Sequence, residues 1–206
     1  MLRAARSATA AFVSSSETPS HVDHGLSGGT VVWLFVAVEL LTFGLFFVSF
    51  AAARRSDPAT FAEGQAQLHP LLGTINTCAL LTGGWFAARG VLANRHDQSH
   101  TTAMCFWGAA ASGVVFMAIK VFEYADVLGA GISLSTNSFW FFYLFVTGLH
   151  FLHVLAGVGF LVPTAWRAAS GAYGAAQPLT VEAVAVFWHL VDLIWIILFP
   201  LIYLVR

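Results

Sequence analysis

The sequence has few charged residues, and this shortage limits the kinds of protein it can form. Only 9% of its 206 residues are Asp, Glu, Lys or Arg, whereas 58% are hydrophobic. An ordinary soluble domain has about 25% charged residues. A soluble chain of this length could not cover its surface with so few charges, so lipid must cover much of it. The net charge of −1 leaves neither a basic face for nucleic acid nor an acidic tail.

Cysteine and internal repetition are scarce as well. The two cysteines, Cys78 and Cys105, lie in neighbouring apolar runs. At a rise of about 1.5 Å per residue their depths in a membrane differ by roughly 15 Å, too far for a disulfide. We therefore interpret both as small core residues. The sequence contains no internal repeat, so it gives no support to an inverted-repeat transporter.

Five apolar runs dominate the rest of the chain. Residues 1–28, rich in Ala, Ser and Gly, lack the apolar core of a secretory signal, and we predict a disordered tail there. Each later run exceeds the roughly 20 residues that a helix needs to cross a bilayer, and is too long for a barrel strand. The predicted spans are 30–53, 70–92, 101–124, 138–162 and 183–205. We predict an all-α fold, a polytopic membrane bundle of five transmembrane helices, over residues 29–206.

The positions of the basic residues indicate an orientation. Five crossings place the two termini on opposite sides of the membrane. The basic residues on the N-terminal side are Arg3, Arg6, Arg89, Arg95 and Arg167. Those on the other side are Arg54, Arg55, Lys120 and Arg206. Because basic residues collect on the cytoplasmic side, this distribution favours a cytoplasmic N-terminus.

Ionisable side chains occur inside the apolar runs, and a charged group costs at least about 2.5 kcal/mol at mid-bilayer. They are Glu39, His150, His153, His189 and Asp192. At about 1.5 Å per residue, Glu39, His153 and Asp192 lie roughly 14 Å from the N-terminal side, and His189 roughly 9 Å. We predict that these four side chains form one polar layer.

Three interpretations of this layer stay open. The side chains could fix helix packing through hydrogen bonds, which is the simplest role. They could transfer protons, because histidine titrates near neutral pH. They could bind zinc or iron through imidazole and carboxylate groups. The spacing, however, lacks the Glu-x-x-His repeats of di-iron bundles.

Two further features have a structural and a functional interpretation. Trp188 and Trp195 lie seven positions apart on one helix face, which fits packing or an interfacial anchor. Glu123, followed by Tyr124, lies far from the polar layer, with Lys120 three positions before it. Lys120 and Glu123 fit either an interfacial ion pair or a solvated helix end.

Several motifs together resemble the subunit III family of haem-copper oxidases. Residues 188–195 (WHLVDLIW) are similar to the Trp-His-Phe-Val-Asp-x-x-Trp of its last helix, and residues 148–154 (GLHFLHV) to the Gly-x-His-x-x-His-Val before it. Trp33, Glu39 and Phe43 resemble its Trp…Glu…Phe helix, and Glu123-Tyr124 resembles its Glu-Tyr pair. The resemblance spans about residues 30–206 in the right order.

Some residues depart from the family pattern. The chain has five predicted helices instead of the seven of mitochondrial and many bacterial forms. Five-helix versions occur in quinol oxidases, in some bacterial cytochrome c oxidases and in a branch associated with nitric oxide reductase. Lys120 stands where oxidases often have Gln, and Asn137 and residues 75–77 (INT) are more similar to the nitric-oxide-reductase branch.

The resemblance implies a non-catalytic subunit of a cytochrome-c-oxidase-type complex in the bacterial inner membrane. Such a subunit binds no haem, copper or other metal itself. It packs beside the catalytic subunit I, which holds haem and copper, with subunit II as a further partner. It also holds phospholipid in a cleft and supports assembly, proton uptake and the stability of the catalytic subunit. Glu39 and the His and Asp positions fall on the family's polar cluster.

Other functions are kept as alternatives. One is an accessory protein of a nitric oxide reductase complex. Another is a stand-alone proton-coupled transporter that uses Glu39, His153, His189 and Asp192 as a relay. A third is a membrane metalloenzyme.

Overall fold

The computed structural model describes residues 29–174 and 178–205. Its helices are α1 (Thr30–Ser56), α2 (Pro58–Ala66), α3 (Pro70–Arg95), α4 (Ser99–Gly129), α5 (Ser138–Ala169) and α6 (Leu179–Phe199), which continues into a π-helical turn at Pro200–Leu204. All except α2 are long and apolar enough to cross a membrane. The predicted all-α bundle with five spans is confirmed, whereas the tail predicted at 1–28 lies outside the described residues.

Four helices form a ring, in which α3 packs on α4, α4 on α5, α5 on α6 and α6 on α3. Helix α1 lies outside this ring against α5 and α6, and buries only Val36, Phe43 and Phe50. These three residues are spaced by seven, which returns to nearly the same helix face after two turns. Most other residues of α1 are exposed or half-buried, so much of this helix is available to lipid or to a partner. We call the side where α1 begins the N-side, and the side where α6 ends the C-side.

The helices are longer than the sequence predicted, and one was missed. Helix α5 passes through Pro163 to Ala169, although its predicted end was residue 162. Proline removes only one backbone donor, and membrane helices tolerate this loss. The short helix α2 begins with Pro58 after Asp57, whose side chain accepts a hydrogen bond from the backbone of Thr60. A nine-residue helix is too short for the hydropathy pattern that identified the others.

The interior is built from large rings that fit against glycine. Trp188 is completely buried on α6, and its ring lies where side chains on α4 and α5 would otherwise point. A Cβ atom added at Gly113 would come within 2.7 Å of this ring, and one at Gly157 within 2.9 Å. Trp195 is also fully buried. Both tryptophans therefore serve in packing, and the alternative of an interfacial anchor is wrong.

The two cysteines are free thiols, but they do not share one environment. Cys78 is exposed and Cys105 is half-buried. The prediction that both are core residues is therefore wrong for Cys78. Its depth in the membrane follows from the sequence, whereas the direction of its side chain depends on the rotation of α3.

Two glycines of α5 provide a matched test of this packing. Gly157→Ala places a methyl group against Trp188 and should lower the free energy of unfolding by about 1–3 kcal/mol, the usual cost of overpacking. Gly159 has no atom within 4 Å of an added Cβ, so Gly159→Ala should be neutral or stabilising. Thermal unfolding of the purified chain in detergent measures both. Equal midpoints for the two variants would contradict the packing assignment.

Candidate functional site

Glu39 and His153 meet at the seam between α1 and α5. Glu39 Oε2 lies 3.3 Å from His153 Nε2, and both side chains are largely buried. The other ring nitrogen of His153, Nδ1, lies 2.9 Å from the Leu149 carbonyl oxygen. Because a carbonyl only accepts, this contact is a hydrogen bond when Nδ1 carries the proton. The pair thus joins α1 to α5 through two ionisable side chains.

His150 is one turn from His153 on α5 but lies in the centre of the ring. It is completely buried, and neither ring nitrogen has a hydrogen-bond partner among the described residues. Its ring stacks on Trp195 at 5.1 Å between centroids and meets the edge of Phe116 at 5.5 Å. Its surroundings are therefore aromatic, and it does not join the Glu39–His153 pair.

His189 and Asp192 occupy a groove between α6 and α3. Asp192 Oδ2 lies 4.0 Å from His189 Nδ1, an ion-pair distance that is too long for a hydrogen bond. Asp192 is 5% exposed, while the His189 side chain is 47% exposed. No ion pair or hydrogen bond among the described residues connects them to Glu39 or His153. The four residues of the predicted layer therefore separate into two pairs on different seams.

The most connected polar group lies nearer the C-side and includes Lys120, which is completely buried. Lys120 Nζ donates to Glu123 Oε2 at 3.0 Å and to the Tyr203 hydroxyl at 2.8 Å. Tyr203 in turn donates to Glu123 Oε1 at 3.1 Å, and the Tyr143 hydroxyl lies 3.5 Å from Lys120 Nζ. The rings of Tyr124 and Trp195 lie within 5.4 Å of the same ammonium group. Of the two alternatives for Lys120 and Glu123, the ion pair forms, and the solvated helix end is wrong because both residues are buried and α4 runs beyond them to Gly129.

The π-helical turn at the end of α6 completes this network. Pro200 has no backbone donor, which fits the change of hydrogen bonding at this point, and Tyr203 on the turn reaches Glu123. Gln65 on α2 donates to the carbonyl oxygens of Ile202 and Val205 at 2.8 and 3.0 Å. A cavity of about 110 Å³ borders Glu123 and Tyr143 on the C-side.

Sequence reasoning missed several partners in these contacts. Tyr143 and Tyr203 lie in apolar runs, and tyrosine is too common there to signal a network. Arg95 was counted only for topology, yet its NH2 group lies 2.7 Å from Glu182 Oε1 and joins the N-side ends of α3 and α6. Tyr124 donates to the Thr147 hydroxyl at 2.9 Å. Each partner comes from a distant part of the chain.

The remaining residues of the family motifs lie outside the polar pairs described above. Trp195 donates from its indole nitrogen to the Thr77 hydroxyl at 3.0 Å. Trp33 is 41% exposed near the N-side end of α1. Within the described residues no three His, Cys, Asp or Glu side chains converge as metal ligands would. The arrangement therefore gives no support to the metalloenzyme alternative.

The buried ion pair can be tested by removing one or both partners. Lys120→Met leaves Glu123 buried without its cation, and should lower the free energy of unfolding by about 3–5 kcal/mol. Lys120→Met combined with Glu123→Leu should recover a large part of this loss. Denaturant unfolding in mixed micelles measures both, with exposed Arg55→Met as the control. The assignment fails if Lys120→Met costs no more than the control.

Comparison with known proteins places these helices in a family. The family model described as cytochrome c oxidase subunit III matches residues 7–205. This match begins upstream of the boundary that we predicted at residue 29.

Three relatives illustrate the similarity. A cytochrome c oxidase subunit 3 of Synechocystis sp. is 32% identical, over 93% of this chain and 83% of its own. The protein of that name from Thermostichus vulcanus is 33% identical, over 83% of this chain and 84% of its own. A haem-copper oxidase subunit I+III of Aeropyrum pernix is 29% identical over 94% of this chain, a match that covers 25% of the longer relative. This chain belongs to the cytochrome c oxidase subunit III family.

Proposed function

We propose that this chain is the non-catalytic subunit III of a membrane-bound haem-copper oxidase. The observation that carries the proposal is the family match over almost the whole chain, combined with five helices suited to crossing a membrane. The relative named for subunits I and III in one chain supports a position beside a catalytic subunit I. Subunit II is a further proposed partner.

In this proposal haem and copper belong to the partner, and this chain binds neither. Its membrane histidines support this division, because each lies in a different environment. His150 is enclosed by aromatic rings, His153 contacts Glu39, and His189 borders a groove. The described residues thus offer packing and paired polar groups, while the redox chemistry takes place in the catalytic subunit.

Two features support the proposed roles in lipid binding and proton uptake. An apolar groove of about 370 Å³ between α1, α5 and α6 includes Val31, Phe35 and Phe187, and its lining suits a phospholipid acyl chain. Deeper along the same seam, Glu39 Oε2 and His153 Nε2 lie 3.3 Å apart. Two ionisable groups beside the catalytic subunit would support proton uptake.

The proposed location is the bacterial plasma membrane, with the N-terminus in the cytoplasm. Lys120 was counted among the basic residues of the C-side, but it is buried and paired with Glu123. Without Lys120 the excess of basic residues on the N-side increases, and the positive-inside rule favours this orientation more strongly.

The relatives and the helices give no support to the alternative functions. The three relatives are named for cytochrome c oxidase or haem-copper oxidase, and none of them for nitric oxide reductase. A transporter usually has broken helices around a midplane site. Among the described residues, the spanning helices are continuous, and the irregular π-helical turn lies at the C-side end of α6.

Purification of this chain from its native membrane in mild detergent tests the proposal. We expect a haem-copper catalytic subunit to co-purify, identified by mass spectrometry and by its haem spectrum. A colourless eluate that contains this chain alone would contradict the proposal. In that case, uptake into liposomes that contain this chain alone would favour the transporter.

Replacing Glu39 tests the supporting role. In the complex, Glu39→Gln should leave the haem content and the initial rate intact, because the redox centre lies elsewhere. The activity should then decay after severalfold fewer turnovers, because the ionisable group beside His153 is lost. Exposed Glu63→Gln on α2 is the matched control. Loss of haem together with the initial rate would contradict the proposed role.

A further inference from the structure

An outward-facing groove between α3 and α6 contains a polar pair without a complete set of partners. The groove measures about 500 Å³ and is lined mainly by apolar side chains. Its rim includes Leu81, Trp85 and Ile196, which are 49%, 58% and 43% exposed. The polar members of the lining are His189 and Asp192.

The buried carboxyl group of Asp192 accepts no hydrogen bond from the described residues. Its side chain is 93% buried, and its Oδ1 atom has no partner among the described residues. The neighbouring His189 is too far from Oδ2 for a hydrogen bond. Glu39 and Glu123, the other carboxyl groups within the spans discussed above, both have partners inside the chain.

The fold leaves space for this carboxyl group on the opposite helix. A Cβ atom at Gly84 would lie only 2.3 Å from Asp192 Oδ2. Any larger residue at this position of α3 would displace the carboxyl group. The groove and the position of the Asp192 carboxyl group therefore depend on both α3 and α6.

The depth of Asp192 decides which kind of molecule could supply the partner. It lies near the middle of the last span, Leu179–Leu204, about 18–20 Å from either end. Lipid headgroups and bulk water do not reach this depth, and acyl chains carry no hydrogen-bond donors. A carboxyl group without a hydrogen-bond donor at mid-bilayer is costly, so a protein side chain is the partner that fits.

We propose that this groove is the docking face for a transmembrane helix of the catalytic subunit. That helix presents a hydrogen-bond donor to Asp192 Oδ2 at mid-membrane, because Oδ1 is enclosed by this chain, while Leu81, Trp85 and Ile196 pack on its apolar side chains. The proposal rests on the proposed function and specifies which face of this chain meets its partner. The opposite edge of the ring, between α4 and α5, has a groove of about 500 Å³ with a lining that is nearly all apolar. Lipid is sufficient to cover that groove, because it needs no hydrogen-bond donor.

Site-specific photo-crosslinking in native membranes tests the docking face. A photoreactive amino acid replaces Trp85 or Ile196 on the groove, and Leu152 or Val121 on the opposite half of the bundle as matched exposed controls. We expect adducts with the catalytic subunit from the first two positions and not from the controls. Adducts from the controls alone, or from no position although the catalytic subunit co-purifies, would overturn the docking face. Failure of the catalytic subunit to co-purify would instead overturn the proposed function.

A change at Asp192 separates docking from folding. Asp192→Leu removes an unpartnered carboxyl group, so the thermal midpoint of the purified full chain should stay the same or rise. In the complex, the same change should reduce retention of the catalytic subunit about three- to tenfold, the range for one lost interhelical hydrogen bond. Asp192→Asn keeps an oxygen acceptor and should restore much of this retention. A lower midpoint for Asp192→Leu, with unchanged retention, would show a role in folding and overturn the proposal.

Discussion

Polar side chains within the membrane-spanning helices need protein partners, because hydrocarbon offers neither donors nor acceptors. This constraint divides the molecule into regions. Lys120, Glu123 and Tyr203 satisfy one another inside the ring, and Glu39 and His153 do so at the seam with α1. The Asp192 carboxyl group lines a groove and accepts no hydrogen bond from the described residues. The same rule that explains the interior contacts therefore indicates where another chain belongs.

The packing of Trp188 determines where the other α6 residues point. Its ring sits against Gly113 of α4 and Gly157 of α5, and no side chain larger than hydrogen would leave it this space. Fixing this ring fixes the rotation of α6, so that Trp195, seven positions later, reaches Thr77 and His150. Asp192, between the two tryptophans, consequently faces α3. The small residues of the neighbouring helices thus position α6, whose large side chains fill the interior.

The division of labour in the proposed complex follows from this architecture. Aromatic packing around the buried Lys120–Glu123 ion pair holds the four helices of the ring together, and the described His, Cys, Asp and Glu side chains form no set of metal ligands. Helix α1 contributes a mostly exposed apolar surface and one carboxyl group. These properties suit a subunit that supports a catalytic neighbour and leaves the redox chemistry to it.

The sequence by itself determined the fold class and the five spans, because length and hydropathy are local properties of a chain. The motif order also indicated the family that the comparisons confirmed. The sequence did not determine which residues contact one another. Glu39 and His153 were placed at one depth and do touch, but Asp192 at that depth faces another seam, and Lys120 is buried where a surface position was possible. Depth depends on position along a helix, whereas contact depends on the rotation of each helix, and only the packing of distant segments decides that.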